Sequence, residues 1–261
     1  MIKSRARDPW LPFMGPDAGA AVRLFCFAHA GGSAMVYRLW QQQFESGIEV
    51  LPVQLPGRGG RLEPLINRME PLADAVADAL NPYIDRPFAL FGHSMGALVA
   101  FELAHRLRDR RGVEPVHFFV SGRRGPERPQ NPPIHALPHD ALVEELRSLN
   151  GTPREVLEHP ELLELVIPIF RADAEALETY QFVPRPLLQC PITVMGGLAD
   201  VDVSQEDLKA WKDYSTGPFR LSMLPGDHFY LYSTPNTVID IMRQSLVPLA
   251  IDLATRRGAA F

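Results

Sequence analysis

The chain has 261 residues, 46% of them hydrophobic and 22% charged, with 25 prolines, two cysteines and a formal net charge of −5. That length suits one large α/β domain or two small ones, with ample chain for a buried core, and the near-average composition excludes wholesale disorder, collagen-like repeats and coiled coils. The acidic balance argues against nucleic acid as the main partner, because phosphate neutralisation wants a basic face.

Residues 1–21 read as an N-terminal extension; the segment opens with charged residues and no apolar run follows them, so no secretory signal is expected. Beyond it, short β-branched or aromatic runs alternate with helical patterns. Strands are expected at 22–28, 49–55, 88–92, 116–121, 192–195 and 219–224, and helices at 35–44, 71–84, 95–110, 205–211 and 235–246. Alternation of this kind signals a mostly parallel sheet covered by helices, and continuous apolar runs are the mark of strands buried on both faces. Cys26 and Cys190 fall inside such runs, without any C-x-x-C spacing, and read as buried thiols of a reducing compartment. No run reaches the roughly 18 apolar residues of a membrane span. The expectation is a cytoplasmic protein that binds no membrane.

One stretch breaks the alternation. Residues 138–182 hold no convincing strand, while Leu162, Leu163, Val166, Ile169, Phe170, Leu177 and Tyr180 recur at helical spacing. Pro168 is expected to kink or divide that helix. Such an insertion is either an ordinary helical hairpin or a lid over the C-terminal edge of the sheet. The core is then 22–137 plus 183–249, with 250–261 as a flexible C-terminal tail.

The sharpest chemical signal is Gly92-His93-Ser94-Met95-Gly96, with an apolar strand before it and a helical run after it. In this context G-x-S-x-G is a nucleophile elbow: the serine sits on a strained turn, and the glycines let strand and helix approach closely. The helix that follows leaves its first backbone N–H groups free for a developing oxyanion, which makes Met95 a candidate donor. On such a scaffold the chain order is serine, acid, histidine. Of the eight histidines, 29 and 93 precede the serine, 105 and 117 follow it too soon, and 135, 139 and 159 lie in or beside the insertion. His228, after the last expected strand, is the candidate base. The acid is expected in the loop after 192–195, where Asp200 is preferred and Asp202 is a rival. Asp227 reads as stabilising its own turn. A second oxyanion donor is expected from Ala28-His29-Ala30-Gly31-Gly32, where the chain leaves a strand and turns on two glycines.

Together, His29-Ala30-Gly31-Gly32, Pro56-Gly57-Arg58, the elbow, Ser121-Gly122-Arg123-Arg124 and Gly226-Asp227-His228-Phe229 resemble the type II thioesterases of polyketide and nonribosomal peptide assembly lines. The likeness runs from about residue 22 to 246. Ala28 stands where that family often has proline, and Asp227 where a second glycine is common. The resemblance implies an α/β-hydrolase fold, with a mostly parallel central sheet flanked by helices and a helical lid. It also implies a Ser94–Asp200–His228 triad, with Ala30 and Met95 as oxyanion donors and no metal or organic cofactor. The implied partners are acyl or peptidyl carrier proteins bearing phosphopantetheine thioesters. A lipase or carboxylesterase, an acyltransferase, or an inactive carrier-binding protein would share much of this pattern.

Charge is unevenly distributed. Residues 138–182 hold ten acids against three arginines, a local −7 that leaves +2 for the remainder, while 105–128 carry a local +4. The acids of the insertion are expected on solvated helix faces. Arg123 and Arg124 read equally as a phosphate-facing pair or as internal struts.

Overall fold

Six strands alternate with helices in the computed structural model, which describes residues 8–15, 19–44, 47–128 and 133–258. They are β1 (Val22–Phe27), β2 (Ile48–Pro52), β3 (Phe88–His93), β4 (His117–Ser121), β5 (Ile192–Gly197) and β6 (Phe219–Leu224). Each falls on one of the expected runs. All neighbours pair parallel, in the order β2-β1-β3-β4-β5-β6.

Successive strand residues point to opposite faces, so a sheet covered on both sides needs both alternating sets apolar. Phe25 and Phe27 accordingly enter a core shared with α1 (Met69–Leu80) and α2 (Met95–Arg111). Leu24 and Cys26 enter a second core under α8 (Pro235–Gly258). Both cysteines are free and buried.

Two expectations are corrected and one is narrowed. Residues 35–44 form two 3-10 turns, Ala34–Tyr37 and Trp40–Gln43, in place of one α-helix. Tyr37 ends the first turn and Trp40 opens the second, and both are buried with ring centroids 4.6 Å apart. The expected tail at 250–261 is helical as far as Gly258, and 259–261 lie outside the described residues. Its apolar face continues past Leu246 through Ala250 and Leu253, which pack on the second core. Of the two outcomes expected at Pro168, division does not occur: the helix runs from Pro160 to Glu178, and Leu163, Ile167 and Phe170 stay buried on either side of the proline. Their packing offsets the roughly 3 kcal/mol that an interior proline costs.

Between β4 and β5 the chain inserts α3 (His139–Ser148), α4 (Arg154–Leu157) and α5 (Pro160–Glu178). Leu142, Leu146, Leu163, Ile167 and Phe170 give this insertion its own small core. It is tied to the body at its root: Glu178 accepts the Ile134 N–H at 2.6 Å, and the Tyr180 hydroxyl donates to Glu102 at 2.7 Å. The described part of the N-terminal extension also docks, with Leu11 buried and the Gln54 N–H donating to the Trp10 carbonyl at 2.8 Å. No helix among the described residues is long and apolar enough to cross a membrane.

Parallel pairing sends every strand's C-terminal end to one edge. The order reverses at β1, which pairs with both β2 and β3, and such a reversal opens a crevice at that edge. Register places Phe27 beside Gly92 and His93 beside Ser121, so the loops after β1, β3 and β4 emerge together. Closeness there depends on missing side chains. A Cβ on Gly96 would lie 2.1 Å from the Phe27 carbonyl oxygen, and one on Gly92 would lie 2.2 Å from the Gly96 oxygen. Gly96→Ala is therefore expected to destabilise the protein by about 3 kcal/mol or more, since backbone rather than a mobile side chain must give way. A urea denaturation midpoint unchanged from wild type would contradict this packing.

Candidate active site

Ser94 begins where β3 ends and α2 starts, with φ 52° and ψ −116°, a left-handed conformation that only strong surroundings maintain in a non-glycine residue. Its N–H donates to the Ser121 carbonyl at 2.8 Å, and its carbonyl accepts from the Ala97 N–H at 3.1 Å. The strained turn is thus bolted to β4 on one side and to the first turn of α2 on the other. Among the described residues, the N–H groups of Met95 and Ala30 donate to no protein acceptor.

The acid and base loops are zipped before their side chains meet. Leu198 N–H donates to Leu224 O at 2.8 Å and Ala199 N–H to Gly226 O at 2.9 Å. His228 Nδ1–H then donates to Asp200 Oδ2 at 2.7 Å, with side-chain exposures of 15% and 1%. The other Asp200 oxygen accepts the N–H groups of Asp202 at 2.9 Å and Val203 at 3.0 Å. Burial raises the Asp200 carboxyl pKa, but the bond to His228, its charge and those two N–H donors outweigh burial and hold it below the usual carboxylate value. Asp202 is exposed and contributes its backbone, so Asp200 is the carboxylate that reaches the histidine. Asp227 accepts the Phe229 N–H at 2.9 Å, within its own turn.

Ser94, Ala30 and His228 line one cavity of about 150 Å³. Phe170, Ala174 and Leu177 of α5, with Leu149, form its apolar side, and Arg123 and Arg124 contribute positive charge. Arg123 is buried, which draws its pKa down to about 10, and its carbonyl accepts the Trp211 indole N–H at 2.7 Å. Arg124 is half-buried and donates to the Asp202 carbonyl at 2.5 Å. Both arginines line the cavity, Arg124 with its guanidinium tied to the loop that carries Asp202.

Two buried histidines and one buried ion pair stand around these residues, and sequence reasoning assigned none of them a part. His93 lies 5.1 Å from the His228 ring, centroid to centroid. Its Nδ1 is 2.9 Å from the Ser121 hydroxyl, which lies 2.5 Å from that of Tyr230. Burial, then the charges of His228 and His29, push His93 well below the usual imidazole value. His29 is likewise lowered by burial, and next by the facing His228, to about 3. Burial thus keeps both of these rings neutral beside the triad loops. The ion pair joins Arg58 to Asp173, both buried. Asp173 is three residues from Phe170 and four from Leu177 on α5, so a carboxylate on the apolar face was the available signal.

A parallel sheet with this elbow, a histidine and carboxylate on later loops, and a helical insertion before them is the architecture of the α/β-hydrolases. The thioesterase-domain family profile matches residues 22–246, and the chain belongs to the thioesterase family. Gramicidin S biosynthesis protein GrsT of Aneurinibacillus migulanus is 40% identical over 241 residues, covering 92% of this chain and 94% of its own. The solved structure of RedJ, a thioesterase from the prodiginine pathway of Streptomyces coelicolor, superposes with a TM-score of 0.83 at 40% identity, over 92% of this chain and all of that one. BorB, a type II thioesterase from the borrelidin biosynthetic cluster, gives 0.80 at 38% identity, over 87% of this chain and 93% of its own. The chain is a type II thioesterase of the kind found in nonribosomal peptide and polyketide pathways.

The depressed His29 makes stability fall in acid. The folded state keeps this ring neutral down to about 3, whereas the unfolded chain takes up the proton near 6.5. Its stabilisation is thus complete above 6.5 and is lost as pH falls toward 3. His29→Gln is expected to remove up to ~1.4 kcal/mol per pH unit from the acid slope of unfolding free energy. Urea titrations at pH 7, 6 and 5 read that slope, and an unchanged one would mean that His29 is not held neutral.

Proposed function

We propose that the protein hydrolyses acyl groups from the phosphopantetheine thiol of acyl or peptidyl carrier proteins, through a Ser94–His228–Asp200 triad and an acyl-enzyme. The observation that carries this is the 2.7 Å His228–Asp200 bond on the wall of the cavity that also holds the strained Ser94. Membership of the thioesterase family supports the substrate bond, and the biosynthetic relatives support the carrier.

His228 Nε2 takes the Ser94 proton as Oγ attacks the thioester carbonyl. Asp200 fixes the opposite tautomer and balances the imidazolium that forms. Negative charge collects on the carbonyl oxygen, where the N–H groups of Met95 and Ala30 meet it in a site walled by Phe170 and Leu177. Collapse breaks the C–S bond, and His228 returns its proton to the departing thiolate. Water, deprotonated by His228, then attacks the acyl-serine; the acid leaves and Ser94 recovers its proton. The chemistry draws on side chains and backbone alone.

The insertion acts as a lid in this reading, because α5 supplies the apolar wall of the cavity. Arg123 and Arg124 lend the site positive charge toward the phosphate of the pantetheine arm or an acidic carrier. An acidic carrier approaches over the more basic body, clear of the insertion that carries −7. Such chemistry belongs in the cytoplasm beside the synthase.

Hydrolysis of an acyl-loaded carrier protein, an acyl-N-acetylcysteamine thioester and the matched oxygen ester tests this assignment, with release of the free acid followed by mass spectrometry. Wild type is expected to prefer the thioester. Ser94→Ala should lose on the order of 10⁴-fold or more in kcat, and Asp200→Asn about 10⁴-fold, with the fold intact by circular dichroism. Wild-type turnover in Ser94→Ala would overturn the mechanism. A clear preference for the oxygen ester would point to a carboxylesterase instead.

A further inference from the structure

We infer that Asp173 is a positioning residue for the oxyanion loop, held to that task by Arg58, so that the helical insertion and the loop after β1 act as one catalytic unit. The inference rests on the reading of Ala30 N–H as an oxyanion donor.

Asp173 lies on α5 with 0% exposure, far from solvent and from Ser94 in the chain. Its Oδ2 accepts the Gly31 N–H at 2.8 Å and Arg58 Nη1 at 2.6 Å, while Oδ1 accepts Arg58 Nη2 at 2.7 Å. Arg58 Nη1 also reaches the Gly32 carbonyl at 3.3 Å. The ion pair therefore grips the glycine turn by an N–H through its anion and by a carbonyl through its cation. Gly31 sits at φ +76°, and the Gly32 N–H closes the turn onto His29 O at 2.9 Å. With the Ala30–Gly31 peptide fixed on one side and the His29 carbonyl on the other, Ala30 is left to present its N–H at the cavity it lines.

Arg58 is itself braced. Its Nε donates to Pro56 O at 3.3 Å, and Gln54 Nε2 donates to the Arg58 carbonyl at 2.9 Å. The Gln54 side-chain oxygen accepts the Ala34 N–H at 2.9 Å, just beyond the same loop. Stability alone gives little reason for a charged pair here, since a well-packed apolar pair often serves a buried site as well. The carboxylate has a third contact that an apolar pair cannot supply, the Gly31 N–H. Phe170, one turn before Asp173, lines the cavity and lies within 3.6 Å of the Cβ position of Gly31. One helix thus shapes the acyl wall and anchors the oxyanion loop.

Two variants test this: Asp173→Asn, and the double substitution Arg58→Met with Asp173→Leu, which removes the charges as a pair. Both are assayed as full-length protein with an acyl-N-acetylcysteamine thioester, and Ser94 is titrated with a fluorophosphonate to count competent sites. A trifluoromethyl ketone carrying the same acyl group reports on the oxyanion, because its adduct with Ser94 places a negative oxygen in the hole. The double variant is expected to lose about 10- to 100-fold in kcat per titrated site with KM changed less than about threefold. Its Ki for the ketone should rise by the factor by which kcat/KM falls. Asp173→Asn, which keeps an oxygen for Gly31 N–H, should fall between it and wild type. The inference is overturned if the ketone Ki stays at the wild-type value while turnover drops, if both variants keep wild-type kcat, or if lost activity merely tracks lost folded protein. Failure of the hydrolase reading looks different: wild type would then leave the thioester intact or Ser94→Ala would cleave it.

Discussion

Everything at this site depends on the contact between the first turn of α2 and the end of β1, where Gly96 rides against the Phe27 carbonyl with no room for a Cβ. The β1–β3 register brings Phe27 and Gly92 side by side, and only glycine allows the helix after β3 to descend that far. From this one approach follow the left-handed backbone at Ser94, the free N–H of Met95 and the nearness of the His29–Gly32 turn. Strain at a non-glycine residue costs about 1–3 kcal/mol and persists because its surroundings over-determine it. Here those surroundings are the bonds to Ser121 and Ala97 and the two bare glycine faces.

The electrostatics follow a second constraint: the buried carboxylates near the serine are paired, and the buried histidines are held neutral. His29 and His93 are neutral rings, and Gly122, with φ +57°, lets His93 and His228 crowd against its backbone. Asp200 keeps its charge because His228 and two backbone N–H groups repay the desolvation. Arg58 and Asp173 satisfy one another and the glycine turn. Glu102, buried inside α2, is matched by Arg185 at 3.0 Å, by Arg106 and by the Tyr180 hydroxyl, which secures the chain as it leaves the insertion. The acids of the insertion are therefore not all solvated, as amphipathic spacing suggested: Asp173 and Glu178 face inward, and both work as anchors.

Local signals were legible where a residue's neighbours in sequence are also its neighbours in space. The elbow is a strand, a tight turn and a helix within a dozen residues, so its glycines announce it. The six strands are short apolar runs between turn residues, and the structure has each in its place. The 35–44 segment misleads because its helical periodicity is short, and the decisive contact is Tyr37 and Trp40 packing edge-on against Phe91 of β3. The end of α8 misleads in the opposite sense, since charged residues dilute an apolar face that still has a core to cover.

Sequence by itself determined the order of elements and singled out Ser94 and, by elimination along the chain, His228 as candidates. Those depend on periodicity, turn chemistry and order, which are properties of the chain. Tertiary structure alone decided between Asp200 and Asp202, because the choice turns on backbone bonds from Leu198 and Ala199 to the neighbouring β6 loop. It alone joined Asp173 to Arg58 across a separation of 115 residues. A carboxylate on an apolar helix face declares that it needs a partner, but which cation reaches it depends on where the sheet carries two distant loops. Pairing of that kind is a consequence of the fold, since no local pattern encodes the distance between segments that meet only when the sheet is complete.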